Sequence, residues 1–223
     1  MGDAAPTLWP PTFSGAIFDF DGTIARTGWI WEEVDRAFLG ARGIEYSEEY
    51  ARTLSVLGFG AGAQYTIETY GLHERPEDIR REWTLLSHAL YRSRVELRPG
   101  VEGYIRSLRR AGVRCALATA NEPELIGAME LVDVVGLFDT CVHSCDVGAA
   151  KDQPDIYLEA ARRLRVPPEL CIVFEDIEPG ICAARSVGFA TCAVRSGERA
   201  QRFERVRGAA EIHLDDWDDI ELR

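Results

Sequence analysis

Lysine is almost missing from this sequence. Of 25 basic residues a single one, Lys151, is a lysine, and the others are arginines. Positive charge as a whole is scarce: 25 Lys+Arg stand against 37 Asp+Glu, for a net charge of -12. That deficit argues against the broad basic face that nucleic acid or an anionic membrane requires. It still allows a small anionic substrate, because one site can be positive in a negative protein. No apolar run approaches the roughly 20 residues that span a bilayer. The stretch before Thr12 lacks the basic start and apolar core of a secretory signal. Pro6 stands where a myristoylation pattern wants Ser or Thr. The expectation is a cytoplasmic protein with reduced thiols. Four of its cysteines (Cys115, Cys171, Cys182 and Cys192) sit among apolar or small residues, apart from Cys141 and Cys145.

What is present is enough apolar chain for a large core. With 223 residues, 46% hydrophobic, one large domain or a core plus an insert needs no disulfide or metal staple. Ala16-Ile17-Phe18 reads as a buried strand that runs into an acidic turn. Residues 27–98 then read as helical without a convincing strand. Ile30, Val34 and Phe38 recur at helical spacing, and Ser47 can cap a helix that begins Glu48-Glu49. Gly58, Gly60 and Gly62 read as a flexible joint. Pro76-Glu77-Asp78 opens a further helix, with Ile79, Trp83, Leu86 and Leu90 on one face. From Pro99 onward, helices at 101–110, 122–131, 154–165 and 179–187 alternate with strands at 113–118, 141–143, 171–174, 190–194 and 211–214. This alternation predicts an α/β fold, a parallel sheet with helices on both faces. The core is expected over 12–26 and 99–223, with residues 27–98 inserted as an all-helical unit. The insert leaves the sheet at the carboxyl end of the first strand, where open α/β sheets bind ligands, so it is placed as a lid.

Four polar clusters lie at or near strand ends. Asp19-Phe20-Asp21-Gly22-Thr23 offers two carboxylates one residue apart, which can share a cation and divide nucleophile and acid/base roles. Thr119-Ala120-Asn121 offers a hydroxyl and strand-to-helix amides as an anion cradle, although alone it reads as a helix cap. Lys151 is the only ammonium, ahead of a helix with Pro154 in its first turn. A compact ammonium suits a single phosphoryl oxygen better than a guanidinium fork does. Glu175-Asp176 ends an apolar strand, and paired acids there are costly unless a cation meets them.

In this order the clusters resemble those of the haloacid dehalogenase-like superfamily, in the branch with a helical cap after the first motif. That branch includes phosphoglycolate-type phosphatases and β-phosphoglucomutases. The resemblance spans about residues 13–215 and implies a Rossmann-like core. It implies a Mg²⁺-dependent phosphomonoesterase acting on a small phosphorylated metabolite. Asp19 would be the nucleophile that becomes an aspartyl-phosphate, and Asp21 the acid/base. Thr119 and Lys151 would hold the transferring oxygens. Gly22, Ala120 and Asn121 would add phosphate contacts. Asp19, Asp21 (through its carbonyl), Glu175 and Asp176 would surround Mg²⁺. No nucleic acid or membrane partner is implied, and oligomeric state is left open.

The sequence departs from the family pattern at three places. Arg26 stands where an acid is common, Asp152 where a proline follows the motif lysine, and Ile177 where Ser or Asn often follows the second acidic pair. Two other readings of the same scaffold are a β-phosphoglucomutase-like mutase and a non-catalytic interaction module. The stretch 56–63 has no basic residue to grip a second phosphate, which favours the phosphatase. The module would have lost one of the four central acids and lysine, yet all are present. Asp21 argues against dehalogenation, and the absence of a lysine from the insert argues against a Schiff-base phosphonate hydrolase. Cys141, His143 and Cys145 offer three ligands for zinc but no evident fourth. Trp29, Trp31 and Trp83 read as packing inside the cap.

Overall fold

The computed structural model describes residues 5–198 and 201–222. Its strands are β1 (Gly15–Phe18), β2 (Arg114–Thr119), β3 (Thr140–His143), β4 (Cys171–Glu175), β5 (Ala190–Val194) and β6 (Ile212–Leu214). They form one parallel sheet in the order β3-β2-β1-β4-β5-β6. Strand side chains alternate between faces. Phe18 and Phe174 stack on one face with centroids 4.7 Å apart, against Tyr104 and Trp217. Ile17, Ala116 and Val173 pack on the other, against Ile156, Tyr157 and Ala160. Both faces are buried, so the strands read as continuous apolar runs.

Three helices lie between β1 and the rest: α1 (Gly28–Gly40), α2 (Glu48–Tyr70) and α3 (Pro76–Arg94). The covering helices follow: α4 (Val101–Arg110), α5 (Pro123–Gly127), α6 (Val134–Leu137), α7 (Ser144–Val147), α8 (Asp155–Leu164), α9 (Glu178–Ser186) and α10 (Phe203–Ala209). No helix among the described residues is long and apolar enough to cross a membrane. The helix expected over 122–131 is only α5, because Glu130 N–H turns away to the Arg92 carbonyl. The expected pattern of elements does not include α6, α7 or α10.

Two differences inside the insert matter for the site. The glycine joint is Gly58 alone, at φ 66°, ψ −169°, while Gly60 and Gly62 stay helical within α2. Gly58 faces the core, where an added Cβ would lie 3.3 Å from Ala120 Cβ, and beside it the Val56 carbonyl accepts from Lys151 N–H at 3.1 Å. In α3 the buried face is Ile79, Trp83, Ser87 and Tyr91, and Leu86 and Leu90 are only half-buried. The true stripe runs at a strict four-residue spacing, which turns Tyr91 inward. Cys182 is exposed, whereas Cys115, Cys171 and Cys192 are buried; all six thiols are free.

Candidate active site

The register of the central strands sets the site. Phe18 stands opposite Leu117 of β2 and Phe174 of β4, so the residues that follow leave the sheet at one edge. Asp19 N–H donates to the Phe174 carbonyl at 3.0 Å, which places Asp19 beside Glu175, the last residue of β4. Lys151 reaches this edge from the loop ahead of α8. It donates to Asp19 Oδ1 and, at 2.6 Å, to Glu175 Oε1. Tyr157 of α8 also donates to Glu175 Oε1, at 2.9 Å, and Asp176 N–H donates to Oε2 at 2.9 Å.

Asp19, Glu175 and Asp176 each offer an oxygen within 4.8 Å of the others, the one such metal-type group among the described residues. All three are buried, and the one ammonium among them, Lys151, is itself 2% exposed and pairs with Asp19 and Glu175. Burial, then Glu175, pushes the Asp19 carboxyl up to about 8 against the pull of Lys151. Burial, then Asp19 and Glu175, raises Asp176 as well. Burial alone would lower Lys151, but Asp19 and Glu175 hold it above the ordinary lysine range. The group is thus short of positive charge. Clustered carboxylate oxygens with a charge deficit fit a hard divalent cation.

Gly22 is required where it stands. Its φ is +77°, and a Cβ would lie 2.2 Å from Asp176 Oδ2. Its carbonyl accepts from the buried Arg98 at 3.0 Å. Asp21 is met from two sides. Tyr91 of α3 donates to Oδ1 at 2.5 Å and Trp31 of α1 at 3.2 Å, while Asn121 Nδ2 donates to Oδ2 at 2.7 Å. The helical insert therefore holds one residue of the acidic turn directly. The Asn121 carbonyl accepts from the His143 ring at 2.8 Å. His143 thus supports this turn, and it forms no metal group with Cys141 and Cys145. Thr119 is fully buried, and its Oγ1 accepts from Asn121 N–H at 3.1 Å.

A cavity of about 810 Å³ opens over these groups. Its floor carries Asp19, Asp21, Ala120, Asn121, Lys151 and Asp176. Thr119, Gly22 and Glu175 lie behind that lining. Trp29, Trp31 and Trp83 all reach the cavity. Trp83 is buried as expected, but Trp29 is exposed, with the Arg94 guanidinium 4.6 Å above its ring. Arg26, Arg52, Arg202 and Arg205 also line the cavity, although no pattern in the sequence connects them. Arg26, which replaces the expected acid, is exposed. A carboxylate is supplied to that region from elsewhere. Glu198, in the loop after β5, accepts from Thr27 N–H at 3.1 Å and Gly28 N–H at 2.7 Å. It thereby satisfies the free amides at the start of α1.

Asp35 of α1 is a further acid that the sequence reading passed over. It lines the cavity, is buried, and burial pushes its carboxyl from 3.8 up to about 7. A raised acid binds a proton in the folded chain that the unfolded chain has already lost. Its contribution to stability is full below about pH 4 and is lost as pH rises through 7. The sensitivity is on the order of 4 kcal/mol if the whole shift is expressed. Urea unfolding at a series of pH values should show wild type losing more stability than Asp35→Asn over that window. Parallel profiles would contradict the burial assigned to Asp35.

The chain belongs to the haloacid dehalogenase-like hydrolases, whose family profile matches residues 13–188. It is a phosphatase of that family, in the subfamily with a helical cap that contains CbbY, β-phosphoglucomutase and phosphoglycolate phosphatase. It is similar to the fructose-1-phosphate phosphatase YqaB of Escherichia coli, at 32% identity over 82% of this chain and 97% of that protein. It is 28% identical to the β-phosphoglucomutase of Bacillus subtilis, over 93% of this chain and 96% of that one. Among solved structures, CbbY from Rhodobacter sphaeroides in complex with phosphate matches with a TM-score of 0.76 at 29% identity. That match covers 92% of this chain and 95% of CbbY.

Proposed function

We propose that this chain hydrolyses the phosphate monoester of a small metabolite, a phosphorylated sugar or a close analogue, with Mg²⁺ as cofactor. The observation that carries this reading is the junction of Asp19, Lys151, Glu175 and Asp176 at the floor of a cavity roofed by the helical insert. Relatives named for phosphorylated carbohydrates and for fructose 1-phosphate support the substrate class.

Asp19, Asp176, Glu175 and the Asp21 carbonyl are the groups that would hold Mg²⁺, which when bound offsets phosphoryl charge among carboxylates. In this reading an Asp19 oxygen attacks phosphorus and the ester P–O bond breaks. Asp21 gives its proton to the departing alkoxide. It then takes a proton from a water that attacks the aspartyl-phosphate. Release of inorganic phosphate restores the Asp19 carboxylate. Tyr91, Trp31 and Asn121 fix the plane of the Asp21 carboxylate for both transfers. Lys151 keeps a positive charge beside the attacking oxygen. In this reading the Ala120 amide and the Thr119 hydroxyl would donate to the transferring oxygens, while the Asn121 N–H is held by Thr119 Oγ1 and Asn121 acts through its side chain on Asp21.

A mutase is the second reading, and one observation favours it. The stretch 56–63 has no basic residue, but Arg52, one turn earlier in α2, lines the same cavity. Phosphate release from an aryl phosphate should need Mg²⁺, be weak in Ca²⁺ and cease in chelator, since the looser coordination of Ca²⁺ misplaces the nucleophile. A panel of sugar phosphates, including β-glucose 1-phosphate with its bisphosphate activator, should yield free phosphate rather than an isomer. Equal turnover in chelator would remove the metal from the mechanism, and an isomerised product would favour the mutase.

A further inference from the structure

The cap side of the cavity holds a carboxyl that the proposed hydrolysis does not use. Asp35 is 3% exposed and lines the cavity, yet it has no hydrogen-bond or ion-pair partner among the described residues. A buried polar group without a partner costs free energy unless a ligand supplies one. Tyr46, Leu54, Phe59 and Trp83 add apolar and aromatic surface to the same cavity. Trp83 also has a buried indole N–H without an acceptor.

Helix geometry places Asp35 relative to the chemistry. Trp31 and Asp35 are four residues apart, on one face of α1. The Trp31 indole donates to Asp21, the group proposed to protonate the departing oxygen. Asp35 lies one turn further along, about 6 Å by helix rise. That is a few bonds into the leaving group.

We infer that Asp35 is a specificity-determining residue, accepting a hydrogen bond from a hydroxyl on the leaving group a few carbons beyond the ester oxygen. The inference rests on the phosphatase reading and names the residue that selects a hydroxylated leaving group within it. The carboxyl that burial pushes up to about 7 accepts from a hydroxyl in either protonation state, whereas an ammonium needs the ionised form. The aromatic surroundings suit the C–H face of a polyol. The charged and titratable groups around Asp35 are Glu32 and Arg36 on its own helix, and Tyr46, Tyr50 and Tyr70 packed against it. Arg36 is engaged with Glu32, and no cation pairs with Asp35 among the described residues.

The test uses binding, so it does not depend on turnover. Calorimetry in Mg²⁺ would compare a polyhydroxylated alkylphosphonate, a plain alkylphosphonate and an aminoalkylphosphonate of equal length. Wild type should bind the hydroxylated probe about tenfold more tightly than the plain one. Asp35→Leu should abolish that preference. Asp35→Asn, whose amide oxygen still accepts, should keep part of it and guards against a folding defect. An unchanged preference in Asp35→Leu, no preference in wild type, or tightest binding of the aminoalkyl probe would each overturn the inference. Turnover of an aryl phosphate by wild type, measured alongside, reports separately on the hydrolase reading.

Discussion

Asp19→Asn should lose essentially all turnover, on the order of 10⁵–10⁶-fold, the scale on which deletion of an enzymatic nucleophile acts. The substitution keeps shape and removes charge. The amide cannot attack phosphorus, and it no longer matches Lys151, which donates to Asp19 Oδ1. Because three buried carboxylates crowd around that one ammonium, removing one charge relieves repulsion. The variant should therefore unfold at a temperature no lower than wild type. Reactions stopped in acid with labelled phosphoester should leave covalent label on wild type and none on Asp19→Asn. Asp21→Asn should instead slow both transfers, by about 10²–10⁴-fold, through loss of acid/base help. Label and turnover that survive in Asp19→Asn would place the nucleophile elsewhere.

Lys151→Arg should cost on the order of 10²-fold or more in turnover, by analogy with losing one preorganised donor at a reacting oxygen. The charge is kept, so the cost is one of shape. Lys151 is 2% exposed and fills the space between Asp19 and Glu175. A planar guanidinium brings a wider head into that space and should force the acids apart. The single lysine also permits a chemical readout. Buried, charged and paired, Lys151 should resist amine acylation in the native protein. The denatured chain should take one more acyl group, on Lys151. Full activity in Lys151→Arg, or ready acylation of the native protein, would return the residue to the surface and undo the site.

The strand ends carried the central acids and the lysine plainly, because a parallel sheet delivers all its carboxyl ends to one edge. Once β1, β2 and β4 are recognised as buried apolar runs, the polar residues after them must meet there. What went unread lay on helices and loops far along the chain. Tyr91 is separated from Asp21 by 70 residues, and the apolar pattern of α3 was assigned to Leu86 and Leu90. Shifting the face by one position turns Tyr91 inward, and periodicity in a helix rich in leucine does not distinguish the two. Tyr157 falls within the helix expected over 154–165, and only its position under Glu175 gives it a partner. Glu198 supplies a carboxylate near the position where the sequence has Arg26, from a loop 170 residues beyond Gly28. No local spacing encodes that exchange.

The class of fold, the helical insertion and the residues that meet at the sheet edge were legible in the amino-acid order. Each follows from short-range rules: strand and helix periodicity, turn glycines, and the fixed direction of parallel strands. Which helical residues line the cavity came from packing in three dimensions. That packing set Tyr91 and Trp31 on Asp21, gathered Arg26, Arg52, Arg202 and Arg205 around one cavity, and left Asp35 buried without a partner among the described residues. Those placements depend on how α1, α2 and α3 pack over the sheet edge, with the kink at Gly58 against Ala120. Packing joins residues by distance in space, and distance along the chain carries no record of it.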